Sequence, residues 1–495
     1  MPFLIILISF LWLAGTVKSI LFWLYLWQLK DYHIGRFIDH FQTAKGKRII
    51  FLYVTQFMFW RMKKPVFTAK MILLCILAIS ISALYFVLTH TVMTLVLYNL
   101  LVPIIVSALV LLVQPFFVTA RNRILKKARK KMAQFPNLVV IGITGSYGKT
   151  STKEFLQTIL AEKFKVLATP EHKNSEIGIA QTILQELNAR HEIFIVEMGA
   201  YNKGGIKLLC DMVKPRIGVV TGVNEQHLAT FGSLENLLSA EGGQELLASL
   251  PKSGTLMVNG ENKYCLDLYK NAKIDKKIYA INKDKINTDI WTEELSVKPE
   301  CLDFVAVDRE KHAVHMVVDV LGRQHAQNLL GTMLVARELG MSFEEIASAA
   351  KNISQAQGGM TLKNGAHGIK VIDSSYSANP DGVMADLDYL KVFTGKRVIV
   401  MPCLIELGAK SIEAHIQIGK KIAEVADLAI ITTRDKFEEI RNGAIINGLS
   451  PEKVLFIENQ KEIFNVLTTF CGMGDTVLLE GGRPSEVIKL LKLSS

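Results

Sequence analysis

A glycine-rich turn between an apolar run and a helical pattern constrains this chain more than any other feature. The apolar run covers residues 138–143, a helical pattern covers 153–162, and the turn between them reads Thr144-Gly145-Ser146-Tyr147-Gly148-Lys149-Thr150-Ser151. A strand, a glycine-rich turn and a helix in this order predict a P-loop, whose backbone N–H groups close on phosphate oxygens. There Lys149 supplies a cation to the terminal phosphates and Thr150 can bind Mg²⁺. A glycine-rich surface turn is the alternative, and the flanking strand and helix argue against it.

Three apolar runs precede this turn, at about residues 3–27, 71–88 and 92–119 of a 495-residue chain in which half of the residues are hydrophobic. Each is roughly 18 residues or longer, which is enough to cross a bilayer, so we predict an α-helical membrane anchor of about three transmembrane helices. A signal peptide is the alternative for the first run. That run is too long for one, and it has neither a basic start nor a clear cleavage site.

Basic residues beside the apolar runs predict the orientation. The connection between the first two runs is rich in lysine and arginine, and residues 121–131 read Arg-Asn-Arg-Ile-Leu-Lys-Lys-Ala-Arg-Lys-Lys. The positive-inside rule then places both basic segments, and the P-loop with them, in the cytosol. Residues 49–60 are apolar but short for a crossing, and we interpret them as an interfacial or packed helix.

The net charge of +11 reflects 57 Lys and Arg residues against 46 Asp and Glu residues. Beside membrane spans, the basic segments are explained more simply by topology and anionic lipid than by nucleic acid. Basic residues interleaved with aromatic ones on a soluble face are not evident either, so we expect no nucleic-acid partner. The six cysteines are scattered without a C-x-x-C pair. They predict reduced thiols, with neither a zinc site nor a disulfide framework.

From residue 136 onward, short apolar strands alternate with helical stretches, the pattern of a parallel α/β sheet. The strand at 193–196 ends at Glu197. A carboxylate there is placed to hold Mg²⁺ directly or through water. The loop after the next strand carries His227, which on its own fits a structural role better than a ligand role.

Together these residues resemble the Mur ligases of peptidoglycan synthesis, most closely the MurF type that adds D-Ala-D-Ala. The resemblance covers about residues 138–491, and the matching segments in order are 142–154, 174–178, 197–199, 227–233, 322–328, 373–381, 406–408 and 474–475. It implies a P-loop Mur ligase central domain over 136–352 and a Rossmann-like C-terminal domain over 353–495. In the latter, five apolar segments predict a doubly wound sheet: 370–373, 397–401, 428–432, 454–457 and 476–479. Residues 1–135 stand in place of the usual UDP-sugar-binding domain.

The family's chemistry is ATP-dependent amide formation through an acyl phosphate, so the resemblance implies ATP and Mg²⁺ as cofactors. Lys149 and the backbone around Ser146 would stabilise the transferring phosphoryl group. Thr150 and Glu197 would hold one Mg²⁺, and His227 would help to hold a second. The implied nucleotide-binding residues are 144–151, Asn328 and Asp373.

Further polar residues are expected near the cleft between the two α/β domains: Asp373, Tyr376, Asn379, His415 and Arg483. For His415 alone, a role on the helix surface is as good an interpretation as a functional one.

The chain also departs from the family pattern. The carbamylated lysine that bridges the metals in the family falls on Glu241. Glutamate preserves the charge but not the reach, so we infer that Glu241 is catalytic and serves the Mg²⁺ site without CO₂. An exposed helix glutamate is the alternative. The family's asparagine, arginine, aspartate and lysine at four other positions read Gly222, Gly359, Ser374 and Glu480. The phosphate and metal half of the site is therefore kept, whereas the amine half has drifted.

The main hypothesis is a ligase anchored in the bacterial cytoplasmic membrane by several spans, with its ligase domains in the cytosol. It would join a carboxylate from a peptidoglycan precursor or a related polymer to an amine or dipeptide. The anchor suggests a lipid-linked or membrane-adjacent acid. The alternative is a catalytically weakened, ATP-binding membrane scaffold whose partners are other cell-wall enzymes.

Overall fold

The structure is a computed structural model that describes residues 2–30, 32, 34–41, 64–89, 91–224, 228–283, 287–375, 378–405, 407–482 and 484–491. The apolar segment 49–60 and the predicted site residues His227, Tyr376 and Arg483 lie outside these ranges. The chain forms two compact units, Met1–Arg123 and Ile124–Ser495.

The first unit is helical. Its helices, the last of which runs on into the second unit, are α1 (Pro2–Leu29), α2 (Ile34–His40), α3 (Ala69–Leu88) and α4 (Val92–Met132). Within the described residues, three helical segments are long and apolar enough to cross a membrane: Phe10–Leu29, Ala69–Leu88 and Met93–Met132. The prediction of three long apolar helices is confirmed.

Polar groups inside this helical unit find partners on neighbouring helices. The Trp27 indole N–H donates to Ser107 Oγ over 3.0 Å, and the Trp12 indole N–H donates to the Leu95 carbonyl over 2.8 Å. Such pairing is what an apolar surrounding requires of a buried donor.

Helix α4 does not stop where its apolar part ends. It continues through the basic segment, whose Lys, Arg, Leu and Ala residues are good helix formers. In that last part Leu125, Ala128 and Met132 recur at helical spacing, and all three belong to a core cluster of the second unit. From Ile124 onward, the basic segment is therefore folded structure of the second unit and not a linker.

The first half of the second unit contains one sheet, which is made within the described residues by β1 (Val139–Thr144), β2 (Val166–Ala168), β3 (Ile193–Glu197), β4 (Ile217–Val220), β5 (Thr255–Asn259), β6 (Asp275–Tyr279), β7 (Ile290–Val297), β8 (Leu302–Asp308) and β9 (Ala313–Val318). The order is β2-β3-β1-β4-β5-β6-β7-β8-β9. The pairs up to β6–β7 are parallel, and β7, β8 and β9 are antiparallel.

The helices of this half cover both faces of the sheet, and two core clusters of buried apolar residues result. These helices are α5 (Lys149–Ala161), α6 (Glu176–Gln185), α7 (Gly205–Val213), α8 (Leu228–Phe231), α9 (Leu234–Ala240), α10 (Gln244–Ser249), α11 (Lys263–Asn271), α12 (Gln324–Glu338) and α13 (Phe343–Ala350). Strand β1 lies between β3 and β4, with Ile143 opposite Glu197 and Thr144 opposite Val220. The turn after β1 therefore meets the ends of both neighbouring strands.

The second half contains the Rossmann-like sheet. Its strands are β10 (Thr361–Asn364), β11 (Lys370–Ser374), β12 (Arg397–Met401), β13 (Leu428–Ile431), β14 (Val454–Phe456) and β15 (Thr476–Glu480), in the order β10-β11-β15-β12-β13-β14. The five predicted strands are confirmed and parallel. Sequence reasoning missed β10, a four-residue strand that pairs antiparallel with β11. The helices are α14 (Gln355–Gly358), α15 (Pro380–Leu390), α16 (Ser411–Val425), α17 (Phe437–Ile446), α18 (Gln460–Phe470) and α19 (Ser485–Leu490).

Side chains of the first half reach the second half at the carboxyl ends of the strands. The Asn224 amide donates to Asp381 Oδ2 over 2.9 Å, and the Gln324 amide donates to Asp386 Oδ1 over 3.2 Å. The edge where β1, β3 and β4 end thus faces the second α/β half, which is where doubly wound folds place their ligands.

Candidate functional site

The backbone of the turn after β1 has the shape of a phosphate-binding loop. Gly145 and Gly148 have φ angles of 141° and 76°, a region that favours glycine. A Cβ on Gly145 would lie 2.3 Å from Thr221 Oγ1, and one on Gly148 would lie 2.7 Å from Asn328 Oδ1. Among the described residues, no side chain caps the start of α5. Its first N–H groups remain available to an anion.

Hydrogen bonds from the loop after β4 hold this turn in place. The Ser146 N–H donates to the Gly222 carbonyl over 2.7 Å, and the Thr221 N–H donates to the Thr144 carbonyl over 3.0 Å. The Lys149 ammonium donates to the Gly145 carbonyl of its own loop. Hydrogen bonds within the protein therefore fix the conformation of the loop. They also hold the Lys149 side chain against the loop backbone.

Thr150 and Glu197, the two residues predicted to hold one Mg²⁺, lie in contact. The Thr150 hydroxyl donates to Glu197 Oε1 over 3.1 Å, and the Asn174 amide donates to the same oxygen over 3.1 Å. Glu197 is 5% exposed. A hydroxyl and a carboxylate oxygen are hard donors of the kind that Mg²⁺ prefers, so these residues fit the ion.

Glu241 lies inside the site. It is 3% exposed, and its Oε2 accepts a hydrogen bond from the Ser146 hydroxyl over 2.8 Å. The alternative of an exposed helix glutamate is wrong, because Glu241 follows the last residue of α9 and is buried. The Glu241 side chain is therefore in direct contact with Ser146 of the P-loop.

Tyr147 accounts for the departure at Gly222. Gly222 has a φ angle of 153°, and a Cβ there would lie 2.2 Å from Tyr147 Cζ. The phenol oxygen accepts a hydrogen bond from the Asn262 amide over 3.3 Å. Burial raises the pKa of Tyr147, so the phenol is neutral. The aromatic P-loop residue occupies the space that an asparagine at position 222 would need.

We expect Gly222→Asn to lower the free energy of unfolding by about 1–3 kcal/mol, because the new side chain collides with the Tyr147 ring. The measurement is the denaturation midpoint of the full chain, together with the affinity for ADP. Adding Tyr147→Ala should recover part of the loss, since the ring is then gone. The matched control is Gly232→Asn, at a φ angle of 73°, where a Cβ meets no atom of the described residues within 4 Å. Equal losses at both glycines would contradict the collision.

Asn328, predicted to bind nucleotide, lies beside the P-loop next to Gly148. Its amide lies 3.4 Å from His325 Nδ1, and burial lowers the pKa of that histidine to about 4. A neutral imidazole can accept the amide hydrogen, so the pair fixes the Asn328 side chain. Asp373, also predicted to bind nucleotide, forms an ion pair with Lys363 over 3.2 Å and accepts from the Ser375 hydroxyl over 2.6 Å.

Asn379 and His415 form hydrogen bonds that stabilise the second α/β half. Asn379 caps α15, and its Oδ1 lies 3.4 Å from the Asn224 amide nitrogen. His415 is fully buried, so the surface interpretation is wrong. Its Nε2 accepts from the Leu404 N–H over 2.9 Å, and its Nδ1 donates to the Ser411 carbonyl over 2.5 Å. Burial lowers the pKa of His415, which suits this neutral, structural role.

Two of the family departures are neighbours at the end of the second sheet. Ser374 and Glu480 lie opposite each other on β11 and β15, and both are buried. The Ser374 hydroxyl donates to Asp386 Oδ2 over 2.5 Å. Burial, and then the nearby Asp386, raise the pKa of Glu480 well above its usual value of 4.5. This cluster carries an acid where the resemblance to the Mur ligases implies a lysine.

We expect Glu480→Gln to stabilise the protein at neutral and alkaline pH. Above the usual pKa of 4.5, the folded state holds a proton that the unfolded chain has lost, so stability falls as the pH rises. A neutral amide removes that loss. The Tm of the variant should exceed that of the wild type by a few degrees at about pH 8, and the gap should close toward pH 4.5. The control is Glu458→Gln at an exposed position. A gap that does not depend on pH would contradict the assignment.

Two family models match the chain: the Mur ligase middle domain over residues 143–336, and the Mur ligase, glutamate ligase domain over residues 358–483. The UDP-N-acetylmuramoyl-tripeptide--D-alanyl-D-alanine ligase of Mycobacterium bovis is 30% identical over 322 residues, which are 63% of this chain and 62% of that protein. The chain thus spans about three fifths of the length of this relative. The ligase of the same name from Synechocystis sp. is 30% identical over 348 residues, 70% of this chain and 72% of that protein.

Solved structures share the fold. The MurF structure from Acinetobacter baumannii has a TM-score of 0.66 at 24% identity, and the match covers 75% of this chain and 79% of that one. The MurF ligase from Thermotoga maritima in complex with ADP also has a TM-score of 0.66, at 23% identity, with 75% and 83% covered. The architecture of the two α/β halves is therefore that of these ligases.

Proposed function

The chain belongs to the Mur ligase family, and from that membership we propose that it is an ATP-dependent ligase joining a carboxylate to an amine through an acyl phosphate. The observation that carries the proposal is the arrangement of Lys149, Thr150 and Glu197 around a loop whose backbone is shaped for phosphate. We assign the central ligase domain to residues 136–352 and the C-terminal domain to 353–495.

In the first step, an oxygen of the acid substrate attacks the γ-phosphorus of ATP, and the bond to the β-phosphate oxygen breaks. The N–H groups at the start of α5 and the Lys149 ammonium stabilise the charge on the phosphoryl oxygens. Thr150 and Glu197 would hold Mg²⁺, which when bound neutralises phosphate charge. We further propose that His227 contributes to a second ion.

In the second step, the amine nitrogen attacks the acyl carbon, phosphate leaves, and the nitrogen loses a proton. The chain's contribution here is to bring the second α/β half against the strand ends. Contacts such as those from Asn224 and Gln324 already join the two halves. Correct orientation of two bound reactants can supply a large part of the rate enhancement.

We propose that Glu241 takes the place of the family's carbamylated lysine. Its burial and its 2.8 Å hydrogen bond from Ser146 support this role, because they keep a carboxylate beside the phosphate loop. Since the side chain already ends in a carboxylate, no CO₂ is needed to create one.

The names of the relatives suggest the substrates. We propose a peptidoglycan precursor or related envelope acid as the carboxylate and an amino acid or dipeptide as the amine. Gly359 and Glu480, which depart from the pattern that the resemblance implies, fall in the amine half, so we propose that the amine differs from that of the relatives. We also propose that the three apolar helices anchor the protein in the cytoplasmic membrane, with the ligase domains in the cytosol and a lipid-linked or membrane-adjacent acid as substrate.

The test is ADP release by the detergent-purified full chain with Mg²⁺ and ATP, across a panel of muropeptide acids and amines. Release that needs both an acid and an amine supports the ligase. Tight ATP binding without release under any pairing favours an ATP-binding scaffold for cell-wall enzymes. Turnover of a soluble acid, with none of its lipid-linked counterpart, would overturn the proposed membrane substrate.

A further inference from the structure

A lysine is fully buried next to the proposed metal pair, and the mechanism above does not use it. Lys153 lies on α5, three residues after Thr150, and is 0% exposed. Residues three apart share a helix face, and both of these side chains reach Glu197. An ammonium buried this deeply costs much free energy unless carboxylates compensate it.

Two carboxylates surround the ammonium. Lys153 Nζ lies 3.5 Å from Glu197 Oε2 and 3.0 Å from Glu154 Oε1. Neither contact has the alignment of a hydrogen bond, and no other described residue supplies one. The Glu154 side chain is 27% exposed and partly solvated, whereas the Glu197 side chain is only 6% exposed. Glu197 is therefore the carboxylate that depends on the lysine.

The two oxygens of Glu197 have different neighbours. Oε2 faces the ammonium, while Oε1 accepts from the Thr150 hydroxyl and the Asn174 amide. With Oε2 held by a cation, the carboxylate plane is fixed and Oε1 stays directed at Thr150. Without the ammonium, only the two hydrogen bonds to Oε1 would hold the carboxylate, and its plane could turn about the Cγ–Cδ bond.

We propose that Lys153 is a positioning residue that holds Oε2 of Glu197, so that Oε1 is set beside the Thr150 hydroxyl for Mg²⁺. The inference rests on the proposed function of the Thr150–Glu197 pair. The competing explanation is that Lys153 only balances the charge of the buried carboxylates. The two explanations predict opposite changes in cation affinity when the lysine is removed. Removing a positive charge beside a metal site strengthens cation binding by electrostatics, whereas losing the orientation of a ligand weakens it.

The experiment measures Mn²⁺ binding to the full chain in detergent with saturating ADP, by the electron paramagnetic resonance signal of free Mn²⁺. Lys153→Met should raise the Mn²⁺ Kd by about tenfold or more, the usual effect of removing a partner of a metal ligand. Lys163→Met, at a partly exposed lysine just after the same helix, should leave the Kd unchanged. The Tm of each variant reports whether it folds.

A second variant separates the effect of Lys153 on the orientation of Glu197 from its effect on the net charge near the site. Lys153→Gln with Glu154→Gln removes the ammonium and one carboxylate together, so the local net charge stays as it is. Glu197 still loses its cation, and the Tm of the double variant reports whether it folds. We expect the same weakening of Mn²⁺ binding in this double variant. Wild-type affinity in the double variant, or tighter binding in Lys153→Met, would overturn the positioning role. Absence of Mn²⁺ binding in the wild-type protein would overturn the metal site itself, and the inference with it.

Discussion

Lys149→Ala is expected to lower ADP release by about 10³-fold or more, because the variant loses the cation that faces the transferring phosphoryl group. The Lys149 ammonium contacts the Gly145 carbonyl within the loop, so its loss removes about one hydrogen bond, worth on the order of 1 kcal/mol. The fold should therefore survive, and the apolar helices should insert into detergent or membrane as before.

The measurement is ADP release with the best pair of substrates, alongside the Tm and the elution volume of the variant. Lys163→Ala is the matched control, since that lysine forms a surface ion pair with Glu345 and contacts no P-loop residue that the structure describes. Turnover within a few-fold of the wild type in Lys149→Ala would refute the assignment of the phosphate site.

Glu241→Gln is expected to reduce turnover by about 10²-fold, the upper range for a group that supports a metal site. Glutamine keeps the size of the side chain and can still accept from the Ser146 hydroxyl, so the variant isolates the charge. Glu235→Gln is the control, because Glu235 lies in the first turn of α9, the short helix that ends just before Glu241, and its side chain is 82% exposed.

The same residue makes a prediction about CO₂. Wild-type turnover should be equal in buffer freed of CO₂ and in buffer with added bicarbonate, because Glu241 supplies its carboxylate without modification. Glu241→Lys should be weakly active without CO₂ and partly restored by bicarbonate, since a lysine there needs carbamylation to carry the charge. A wild-type enzyme that needs bicarbonate would contradict the replacement.

Residues close in sequence account for what could be predicted. The P-loop follows from adjacent glycines, Lys149 and Thr150, and the apolar runs follow from length and composition alone. Glu197 was found because it ends a buried strand, and parallel strands next to a P-loop strand bring their carboxyl ends to one edge. The five parallel strands of the second sheet could be predicted because each is a short apolar run between helical stretches.

Pairings through space account for what was missed. Ser146 and Glu241 are 95 residues apart in sequence, and only folding shows that they meet. Two further pairings also join residues that are far apart in sequence. Tyr147 packs against Gly222, and Ser374 lies opposite Glu480. The contact of Lys153 with Glu197 could not be predicted either, because the burial of a helix lysine leaves no signal in a single sequence. Strand β10 was missed since four residues with Lys and Asn carry little strand pattern.

The way in which α4 ends affects how the ligase half can be separated from the apolar helices. The basic stretch offers many Lys and Arg residues to a trypsin-like protease, but its Leu125, Ala128 and Met132 belong to the same core cluster as Val140 and Ile179. Cutting there would remove apolar side chains that contribute about 1.5–3 kcal/mol each for Leu and Met, against a total stability of about 5–15 kcal/mol. A separated second unit therefore has to retain the end of α4.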